Sequence, residues 1–458
     1  MKIVICGAGE VGSSIAKYLS EEGGNLTVID QDADLVRQIS QNLDVRGVIG
    51  HASHPDVLER AGIADADMII AVTHSDEVNM VACKIAHHMF KVPTKIARIR
   101  SQVYLQPMWA ELYTNKAIPI DVIISPELEV ARAMKRRIET PGAIDVIPLA
   151  DDKVRLVGVR CTADTPITAT PLRQLTSLFP DMKIVIVGIK RNDRVIIPRG
   201  DDEMYDDDEV YFVVESDQCQ RALSAFGHEE VAIRSSVILG GGNIGLFVAQ
   251  QLEADHPEIN LKIVEFDLAR AEFLSETLNR TTVLHGDALS PEILAEAGVA
   301  GAGTVIAVTQ NDETNILASL LAKKRGALRT VTLINKSKYN TLVSGLGVDV
   351  VVNPRSITVS RILQHVRRGR IHSVYNLQDD FGELIEAEAM QTSGLIGKPL
   401  RQLNLPTGTR IGALIRKGKV IVPRGETTVN SGDRIIMFVA KGAVKHVEKL
   451  FSVRLEFF

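Results

Sequence analysis

The chain has 458 residues, of which 45% are hydrophobic, 24% charged and only 4% aromatic. This apolar share is typical of a folded globular protein and excludes a disordered or collagen-like chain. The 52 lysines and arginines and the 57 aspartates and glutamates give a net charge of −5, so bulk charge does not favour nucleic-acid binding. The four cysteines are scattered without a CxxC pair, which indicates free thiols in a reducing compartment.

The sequence predicts neither a signal peptide nor a membrane span. Met1 and Lys2 lead directly into an apolar strand, without the n-region of a signal peptide. The longest uncharged stretch, residues 235–252, contains three consecutive glycines, Asn243 and two glutamines. A strand, a glycine turn and a helix explain this stretch better than a membrane span does. We therefore expect membrane contact only through a partner protein.

Two kinds of segment occur twice. ICGAGEVG at residues 5–12 recurs as LGGGNIG at 239–245, and residues 50–80 recur without a gap at 286–316. PLRQL recurs at 171–175 and 399–403, and VIIPRG at 195–200 recurs as VIVPRG at 420–425. The order is therefore A-B-A-B, a repeat of four modules. The predicted domains are residues 1–124, 143–227, 232–350 and 370–453.

The two modules predict different folds. Each A module alternates short apolar runs with helical patterns, which indicates an α/β domain with a doubly wound, Rossmann-like parallel sheet. Each B module contains a β-hairpin with a polar turn, which predicts a small α+β domain. Pro126 and Pro354 each begin a predicted connector helix. These helices carry cations that suit helix C-termini but could also meet phosphate or lipid headgroups: Arg132, Lys135, Arg136, Arg137, Arg361, Arg367, Arg368 and Arg370.

Two glycine-rich turns are the main candidate binding sites. The first, Gly7-Ala8-Gly9-Glu10-Val11-Gly12, has GxGxxG spacing between a strand and a helix, and Asp30 ends the next strand. Such a turn lets backbone amides approach a pyrophosphate, and the acid accepts hydrogen bonds from ribose hydroxyls. An acid here disfavours a 2′-phosphate, so NAD(H) or another adenine nucleotide is favoured over NADP. The second copy has Gly240-Gly241-Gly242-Asn243-Ile244-Gly245 and Glu265. The alternative in either copy is a scaffold that keeps the turn but binds nothing.

Other candidates lie at strand ends of the A modules. Arg98 and Arg100 could neutralise a phosphate, and Leu333 and Asn335 replace them in the second copy, so the two sites are expected to differ. The alternative is a solvated charge. Thr73-His74 and Thr309 end the fourth strand of each copy, where a hydroxyl could contact the ligand or cap the following helix.

Two possible metal sites are disfavoured by the repeat. His51 and His54 correspond to Asp287 and Ser290, so a loop near the nucleotide is a better interpretation than a metal pair. The acidic segment 201–209 could bind calcium, but half of it is missing from the second copy, which favours a solvated turn. The GxSxG, HExxH and Tyr-x-x-x-Lys motifs are absent, as is a large catalytic domain, so no catalytic residue is assigned.

Taken together, the two turns with Asp30 and Glu265, the AVTxxDExN runs and the paired VIxPRG hairpins resemble tandem RCK domains, which regulate the conductance of potassium. The resemblance covers nearly the whole chain. It implies a non-enzymatic regulatory subunit that binds NAD(H), and also ATP or ADP, at the cytoplasmic face of the inner membrane. It further implies self-association into a homo-oligomeric, tetrameric ring beneath a membrane potassium channel subunit of the Trk type.

The resemblance also assigns site residues. The first site comprises Gly7, Ala8, Gly9, Glu10, Val11, Asp30, Thr73, His74, Arg98 and Arg100, and the second comprises Gly240, Gly241, Gly242, Asn243, Ile244, Glu265, Asp287 and Thr309. The main alternative function is an NAD-dependent oxidoreductase with an unrecognised substrate pocket. A redox-sensing transcription factor is disfavoured because no helix-turn-helix or basic arm is visible.

Overall fold

The computed structural model of the chain describes residues 1–21, 23–114, 116–179, 183–192, 194–228, 234–336, 339, 342–343, 345–366, 371–377 and 381–451. Contacts divide it into two compact units. The first unit holds Met1–Glu129 and Pro354–Val366, and the second holds the remaining described residues. The predicted Arg367, Arg368 and Arg370 lie outside the described residues.

The first unit is built on a parallel sheet of six strands in the order β3-β2-β1-β4-β5-β6. Because the chain reverses direction of winding between β1 and β4, the carboxyl ends of these two strands form the crevice in which such folds bind ligands. The strands are β1 (Lys2–Cys6), β2 (Asn25–Asp30), β3 (Arg46–Ile49), β4 (Met68–Ala71), β5 (Thr94–Arg98) and β6 (Val122–Ile124). The helices are α1 (Glu10–Glu21), α2 (Ala33–Asn42), α3 (Pro55–Arg60) and α4 (Asp76–His88).

A helix that begins at a proline follows the sheet, as predicted: α5 (Pro126–Ile138). The first small domain then forms an antiparallel sheet in the order β10-β9-β11-β8-β7, and β9 and β10 form the predicted hairpin. Its strands are β7 (Ala143–Leu149), β8 (Val154–Arg160), β9 (Ile184–Arg191), β10 (Arg194–Ile196) and β11 (Glu209–Glu215). Its helices are α6 (Leu172–Leu178) and α7 (Cys219–Ala225).

The second A module repeats the parallel sheet, in the order β14-β13-β12-β15-β16-β17. Its strands are β12 (Ser235–Leu239), β13 (Asn260–Glu265), β14 (Thr282–His285), β15 (Thr304–Ala307), β16 (Thr330–Leu333) and β17 (Val350–Val352). Its helices are α8 (Asn243–Asp255), α9 (Leu268–Thr277), α10 (Pro291–Glu296) and α11 (Asp312–Lys324). The second predicted proline-initiated helix follows as α12 (Pro354–Val366).

The second small domain is again antiparallel, in the order β18-β19-β22-β20-β21. Its elements are β18 (Ile371–Leu377), β19 (Gly382–Glu388), β20 (Thr409–Arg416), β21 (Lys419–Ile421), β22 (Arg434–Val439) and α13 (Val444–Phe451). The predicted fold class, two doubly wound sheets each followed by a small α+β domain, is confirmed. Within the described residues, no helix is both long and apolar enough to span a membrane.

The connector helices are exchanged between the copies, which the sequence did not predict. Helix α12 follows the second parallel sheet, yet Val359, Ile362 and Leu363 pack in the core of the first unit. Helix α5 follows the first sheet, yet from Val130 onwards it belongs to the second unit. There Arg329, at the start of β16, donates to the carbonyl oxygens of the last turn of α5 and of the residues that follow it.

Candidate nucleotide-binding site

The first glycine-rich turn joins β1 to α1 and needs its glycines for different reasons. Gly7 has a φ of +110°, and a Cβ there would lie 3.0 Å from the carbonyl oxygen of Val72, at the end of β4. A Cβ at Gly12 would overlap the carbonyl oxygen of Gly7. Gly9 instead faces open space, because no atom lies within 4 Å of a Cβ built there. The turn therefore packs tightly on its inner side and leaves its outer side open to a ligand.

Asp30 is fixed by the turn that it faces. Its Oδ2 accepts a hydrogen bond from the amide of Ala8 at 2.7 Å, and its Oδ1 accepts one from the amide of Asp32 at 2.9 Å. A carboxylate has about four acceptor positions, so two backbone bonds leave room for ribose hydroxyls. The carboxylate is therefore oriented before any ligand arrives, which lowers the entropy cost of binding.

The second turn reproduces this arrangement between β12 and α8. Gly240 also has a φ of +110°, and no atom lies within 4 Å of a Cβ built at Gly242. Glu265 replaces the aspartate, and its Oε2 accepts from the amide of Gly241 at 2.6 Å while its Oε1 accepts from the amide of Asp267 at 2.9 Å. Both copies therefore keep an open glycine beside a carboxylate held by the turn.

One of the differences between the two turns lies at the residue that faces the acid. The first turn has Ala8 opposite Asp30, whereas the second has Gly241 opposite Glu265. A Cβ at Gly241 would overlap the side chain of Leu274 and lie 3.0 Å from Glu265 Oε2. Leu274 and, less closely, the longer acid fill the space that a methyl group at Gly241 would need, which explains the triple glycine of the second turn.

A buried asparagine organises the strand ends beside the first turn. The side chain of Asn79 is fully buried, and its Oδ1 accepts from the amide and the hydroxyl of Thr73 at 2.9 and 2.7 Å. Its Nδ2 donates to the carbonyl oxygen of Arg98 at 2.9 Å. The asparagine thus ties the end of β4 to the end of β5. The Thr73 hydroxyl already has an acceptor, although its lone pairs stay available to a ligand.

The second copy contains the same arrangement. Asn315 accepts from the amide and hydroxyl of Thr309 at 2.8 and 2.6 Å and donates to the carbonyl oxygen of Leu333 at 3.0 Å. The nearby acids Asp76 and Asp312 accept backbone amides from the segments after β5 and β16. The recurring AVTxxDExN run is therefore a structural motif that holds the strand ends in place.

The two predicted arginines lie in different environments. The Nε of Arg98 is buried and has no hydrogen-bond partner among the described residues, and burial together with the charge of Arg100 lowers the pKa of its guanidinium. An anion would relieve this desolvated cation. Arg100 instead donates from Nε to Glu127 Oε1 at 2.8 Å, at the start of α5. Arg98 therefore fits the predicted phosphate contact better than Arg100 does.

Both connector helices begin in contact with residues of the first site. Glu127 in the first turn of α5 forms the ion pair with Arg100. Arg355 in the first turn of α12 forms an ion pair with Glu10 of the glycine-rich turn. A ligand that changes the charge around Glu10 or Arg100 therefore acts directly on the first residues of both helices.

The remaining predicted residues are more peripheral. Val11 and Ile244 lie in the first turns of α1 and α8, where free backbone amides favour an anion. His74 and Asp287 are exposed. The ring of His51, which replaces Asp287 in the first copy, lies 5.0 Å from that of His54, and its Nδ1 contacts the Ser53 hydroxyl.

One charged residue at the second turn is not predicted by the sequence pattern. Arg270, in the first turn of α9, donates from Nε to the carbonyl oxygen of Gly241 at 2.8 Å and from Nη2 to Asn243 Oδ1 at 3.3 Å. Leu35 occupies the equivalent position of the first copy. The only available signal was this difference between the copies, since nothing in the local pattern says that the side chain turns back to the glycines.

Several acids of the segment at 201–209 form ion pairs with arginines. Asp208 pairs with Arg191 at 2.7 Å, and Asp207 and Glu209 both pair with Arg160. Within the part of the chain that the structure describes, no group of three or more His, Cys, Asp or Glu side chains is arranged to hold a metal ion.

Comparison with known proteins agrees with the repeat. The family model described as the TrkA-N domain matches residues 3–126 and 236–354, and that described as the TrkA-C domain matches residues 156–227 and 384–452. The Trk system potassium uptake protein TrkA of Azorhizobium caulinodans is 51% identical, and that of Halomonas elongata is 43% identical, in both cases over 100% of each chain.

A solved structure with the same fold is the GsuK channel bound to NAD. It has a TM-score of 0.61 and 18% identity, over 99% of this chain and 79% of the channel chain. The tandem family domains and the full-length relatives agree with the resemblance to RCK domains, and the chain belongs to the TrkA family of Trk system potassium uptake proteins.

Proposed function

We propose that this chain is a regulatory subunit of a Trk-type potassium uptake system and that it binds NAD(H), and also ATP or ADP, at its two glycine-rich turns. The observation that carries the proposal is a repeated pair, Gly9 with Asp30 and Gly242 with Glu265: an open glycine beside a carboxylate that the turn itself holds. Such a carboxylate accepts hydrogen bonds from ribose hydroxyls, while the helix N-terminus stabilises a pyrophosphate.

The same carboxylates argue for NAD(H) over NADP. A 2′-phosphate would have to lie beside the negative charge of a carboxylate that two backbone amides hold in place, and the two like charges would repel each other. The GsuK channel, whose chain has the same fold, was solved bound to NAD, so this dinucleotide is the first ligand to test.

The two sites are proposed to bind with unequal affinity. The first offers the partner-less Nε of Arg98 to a phosphate, whereas Leu333 stands at the equivalent place in the second. A charge-assisted hydrogen bond to phosphate is about twice as strong as a neutral one. We therefore expect the two sites to differ in affinity or in ligand preference.

We propose regulation rather than catalysis. Burial raises the pKa of Cys6, directly before the first turn, to about 12, so its thiol stays protonated and unreactive. The hydroxyls of Thr73 and Thr309 donate to buried asparagines, which leaves them poor candidates for proton transfer.

Nucleotide binding would reach the channel through the connector helices. Arg355 at the start of α12 and Glu127 at the start of α5 are paired with Glu10 and Arg100 of the first site. A ligand phosphate attracts both arginines and repels Glu10, so it changes the free energy of both pairs. A coupling of about 1–3 kcal/mol would change channel opening by about 5- to 150-fold.

We propose that copies of the chain assemble into a homo-oligomeric ring, a tetramer, on a membrane potassium channel subunit of the Trk type, at the cytoplasmic face of the inner membrane. Equivalent positions of α4 and α11 carry exposed apolar side chains, Val81 and Leu317, with exposed fractions of 42% and 51%. In the first copy the segment after β5 adds the exposed Met108 and Trp109. Contiguous exposed apolar patches are typical of assembly interfaces, so these side chains are the first positions at which to test the assembly.

Calorimetric titration tests the proposal. NADH, NAD, ATP and ADP are titrated into the wild type, Asp30→Ala and Glu265→Ala. Each variant should lose one class of site while keeping the other, because each change removes one ribose acceptor. Asp34→Ala is the matched control, since Asp34 is an exposed acid of α2 that pairs only with Arg37 among the described contacts. Its titration curves should equal those of the wild type.

The channel part is tested separately by potassium uptake in cells that carry the Trk membrane subunit with each variant, and by co-purification of the two proteins. Asp30→Ala should blunt the response of uptake to the cell's nucleotide state. A folded wild-type protein that gives no heat with any of the four nucleotides would refute nucleotide binding. Steady turnover of NADH with a small metabolite would instead favour an oxidoreductase.

A further inference from the structure

We propose that Arg270 binds the phosphate of an adenine nucleotide at the second glycine-rich turn, an inference that rests on the function proposed above. Its side chain extends from α9 to the turn and donates to the carbonyl oxygen of Gly241 at 2.8 Å and to Asn243 Oδ1 at 3.3 Å. Asn243 is the first residue of α8, so the guanidinium lies one side chain away from the free amides of the helix N-terminus. A phosphate that binds these amides is within reach of the arginine.

The guanidinium is held in position but not neutralised. It lies over the ring of Phe273, 4.8 Å from the ring centroid, and both of its hydrogen-bond acceptors at the turn are uncharged. It forms no ion pair with a carboxylate among the described residues, and both oxygens of nearby Glu265 accept backbone amides. A half-buried, oriented cation without a counter-ion is suited to bind an anion, because little side-chain entropy remains to be lost.

Comparison of the two copies shows that each turn has one such cation in a different place. The first copy has Arg98 at the end of β5 and Leu35 in α2, whereas the second has Leu333 and Arg270 at these positions. The first turn also carries the acid Glu10 where the second has neutral Asn243. The second turn therefore compensates for the missing strand-end arginine with a helix arginine on its ribose side.

The location favours a phosphate of the main phosphate chain over a 2′-phosphate. Glu265 holds the ribose side of the turn with a fixed negative charge, which repels a 2′-phosphate. The contact with Asn243 instead directs the guanidinium toward the α8 amides. Arg270 should therefore recognise the phosphates of ADP or of the adenosine half of NAD, and contribute nothing to binding of adenosine itself.

The experiment uses full-length protein with the first site disabled by Asp30→Ala, so that the titrations report the second site. ADP and adenosine are titrated by calorimetry into this protein and into its Arg270→Gln and Arg270→Lys derivatives. Arg270→Gln should weaken ADP binding by about 10- to 100-fold and leave adenosine binding unchanged, because a charge-assisted hydrogen bond is lost. The ADP affinity of Arg270→Lys should lie between those of the parent protein and Arg270→Gln, because lysine keeps the charge without the planar guanidinium.

Unchanged ADP affinity in both derivatives would overturn the proposal, and an equal loss for ADP and adenosine would assign Arg270 a purely structural role. If Arg270→Gln does not fold, the ADP and adenosine affinities of Arg270→Lys are compared with those of the parent protein instead. Arg37→Gln, which removes an exposed arginine of α2 in the first copy, is the control and should change nothing. Absence of any ADP binding in the Asp30→Ala protein would refute the second site as a whole, whereas ADP binding that ignores Arg270 would refute only this role.

Discussion

At the residue scale, the second glycine of each turn separates ligand binding from folding. Gly9→Ala and Gly242→Ala place a methyl group in open space. The free energy of unfolding should therefore fall by no more than about 1 kcal/mol, which is the usual preference of a helix N-cap for glycine over alanine. The methyl group would occupy the side on which a pyrophosphate approaches. Calorimetry should therefore show nucleotide affinity at the altered turn reduced by about tenfold or more, an effect of at least about 1.4 kcal/mol.

The third glycine of the first turn provides the contrast. A Cβ at Gly12 would overlap the carbonyl oxygen of Gly7, so Gly12→Ala should lose both stability and nucleotide binding. If Gly9→Ala binds nucleotide as tightly as the wild type, the outer side of the turn is not the pyrophosphate site.

A second residue-scale prediction concerns the match between turn and acid. Gly241→Ala should destabilise the protein by about 1–3 kcal/mol, because the new methyl group overlaps Leu274, which is fully buried. Ala8→Gly, the reverse change in the first copy, creates no overlap and should cost at most about 1 kcal/mol through backbone entropy. Urea denaturation of the two variants measures the difference. Equal costs would mean that the packing of Leu274 and Glu265 around Gly241 does not explain the triple glycine.

The sequence could predict the glycines and acids because their chemistry is local. GxGxxG spacing, and an acid at the end of the next strand, specify a turn and a carboxylate without knowledge of tertiary contacts. Asn79 and Arg270 were not predicted, because their partners lie at the ends of other elements. Arg100 was predicted as a phosphate contact, and its pairing with Glu127 depends on where α5 begins in space.

At the element scale, the buried asparagine that joins β4 to β5 should matter to the first site without touching a ligand. Asn79→Ala leaves the amide of Thr73 and the carbonyl oxygen of Arg98 without their partners, which should cost about 1–3 kcal/mol. Nucleotide affinity at the first site should also fall, since Thr73 and Arg98 lose their fixed positions. Denaturation and calorimetry on the same samples measure both effects.

Two matched variants make this prediction specific. Asn315→Ala should have the same cost in stability and should weaken only the second site, because its contacts to Thr309 and Leu333 repeat those of Asn79. Asn42→Ala removes an exposed hydrogen bond within α2 and should be neutral. A loss of affinity at the second site in Asn79→Ala would contradict the local role of the asparagine.

Most elements could be predicted from the sequence because strand and helix signals are local. Short apolar runs that end in glycine turns predicted the parallel strands, and the prolines at 126 and 354 predicted the first residues of both connector helices. The partners of those helices could not be predicted. The apolar face of α12 indicates a buried side, but it does not specify whether that side covers the second sheet or, as Val359 and Ile362 do, packs in the first unit.

At the scale of the whole molecule, the two small domains share a core that neither sequence copy reveals alone. Tyr211 of β11 lies 4.6 Å from Phe381, which in turn lies 5.2 Å from Phe438 of β22, measured between ring centroids. All three aromatic rings are buried. Periodicity identifies such residues as buried. It does not show that Tyr211 and Phe381, which are 170 residues apart in sequence, come together from two repeats.

Also at this scale, a histidine joins the end of the first connector helix to the second parallel sheet. His256, at the end of α8, contacts Glu139 through Nε2 at 2.7 Å and Glu258 through Nδ1 at 3.2 Å. Lys135 of α5 joins the same cluster by pairing with Glu139 and Asp255. Burial alone would lower the pKa of His256, but the hydrogen bonds and charges of the two glutamates outweigh it and raise the pKa above 6.5.

The raised pKa fixes the sign of a pH effect on stability. A group with a higher pKa in the folded state contributes fully below its unfolded pKa of 6.5 and loses that contribution as pH rises through the folded value. The difference in free energy of unfolding between the wild type and His256→Gln should therefore be largest below pH 6.5 and shrink above it. The comparison with the variant matters because half-buried His228, whose pKa is lowered, contributes to stability with the opposite sign in both proteins. Urea denaturation at pH values below and above 6.5 measures this difference in free energy of unfolding. A difference that grows with pH would show that the imidazolium does not hold α5 to α8.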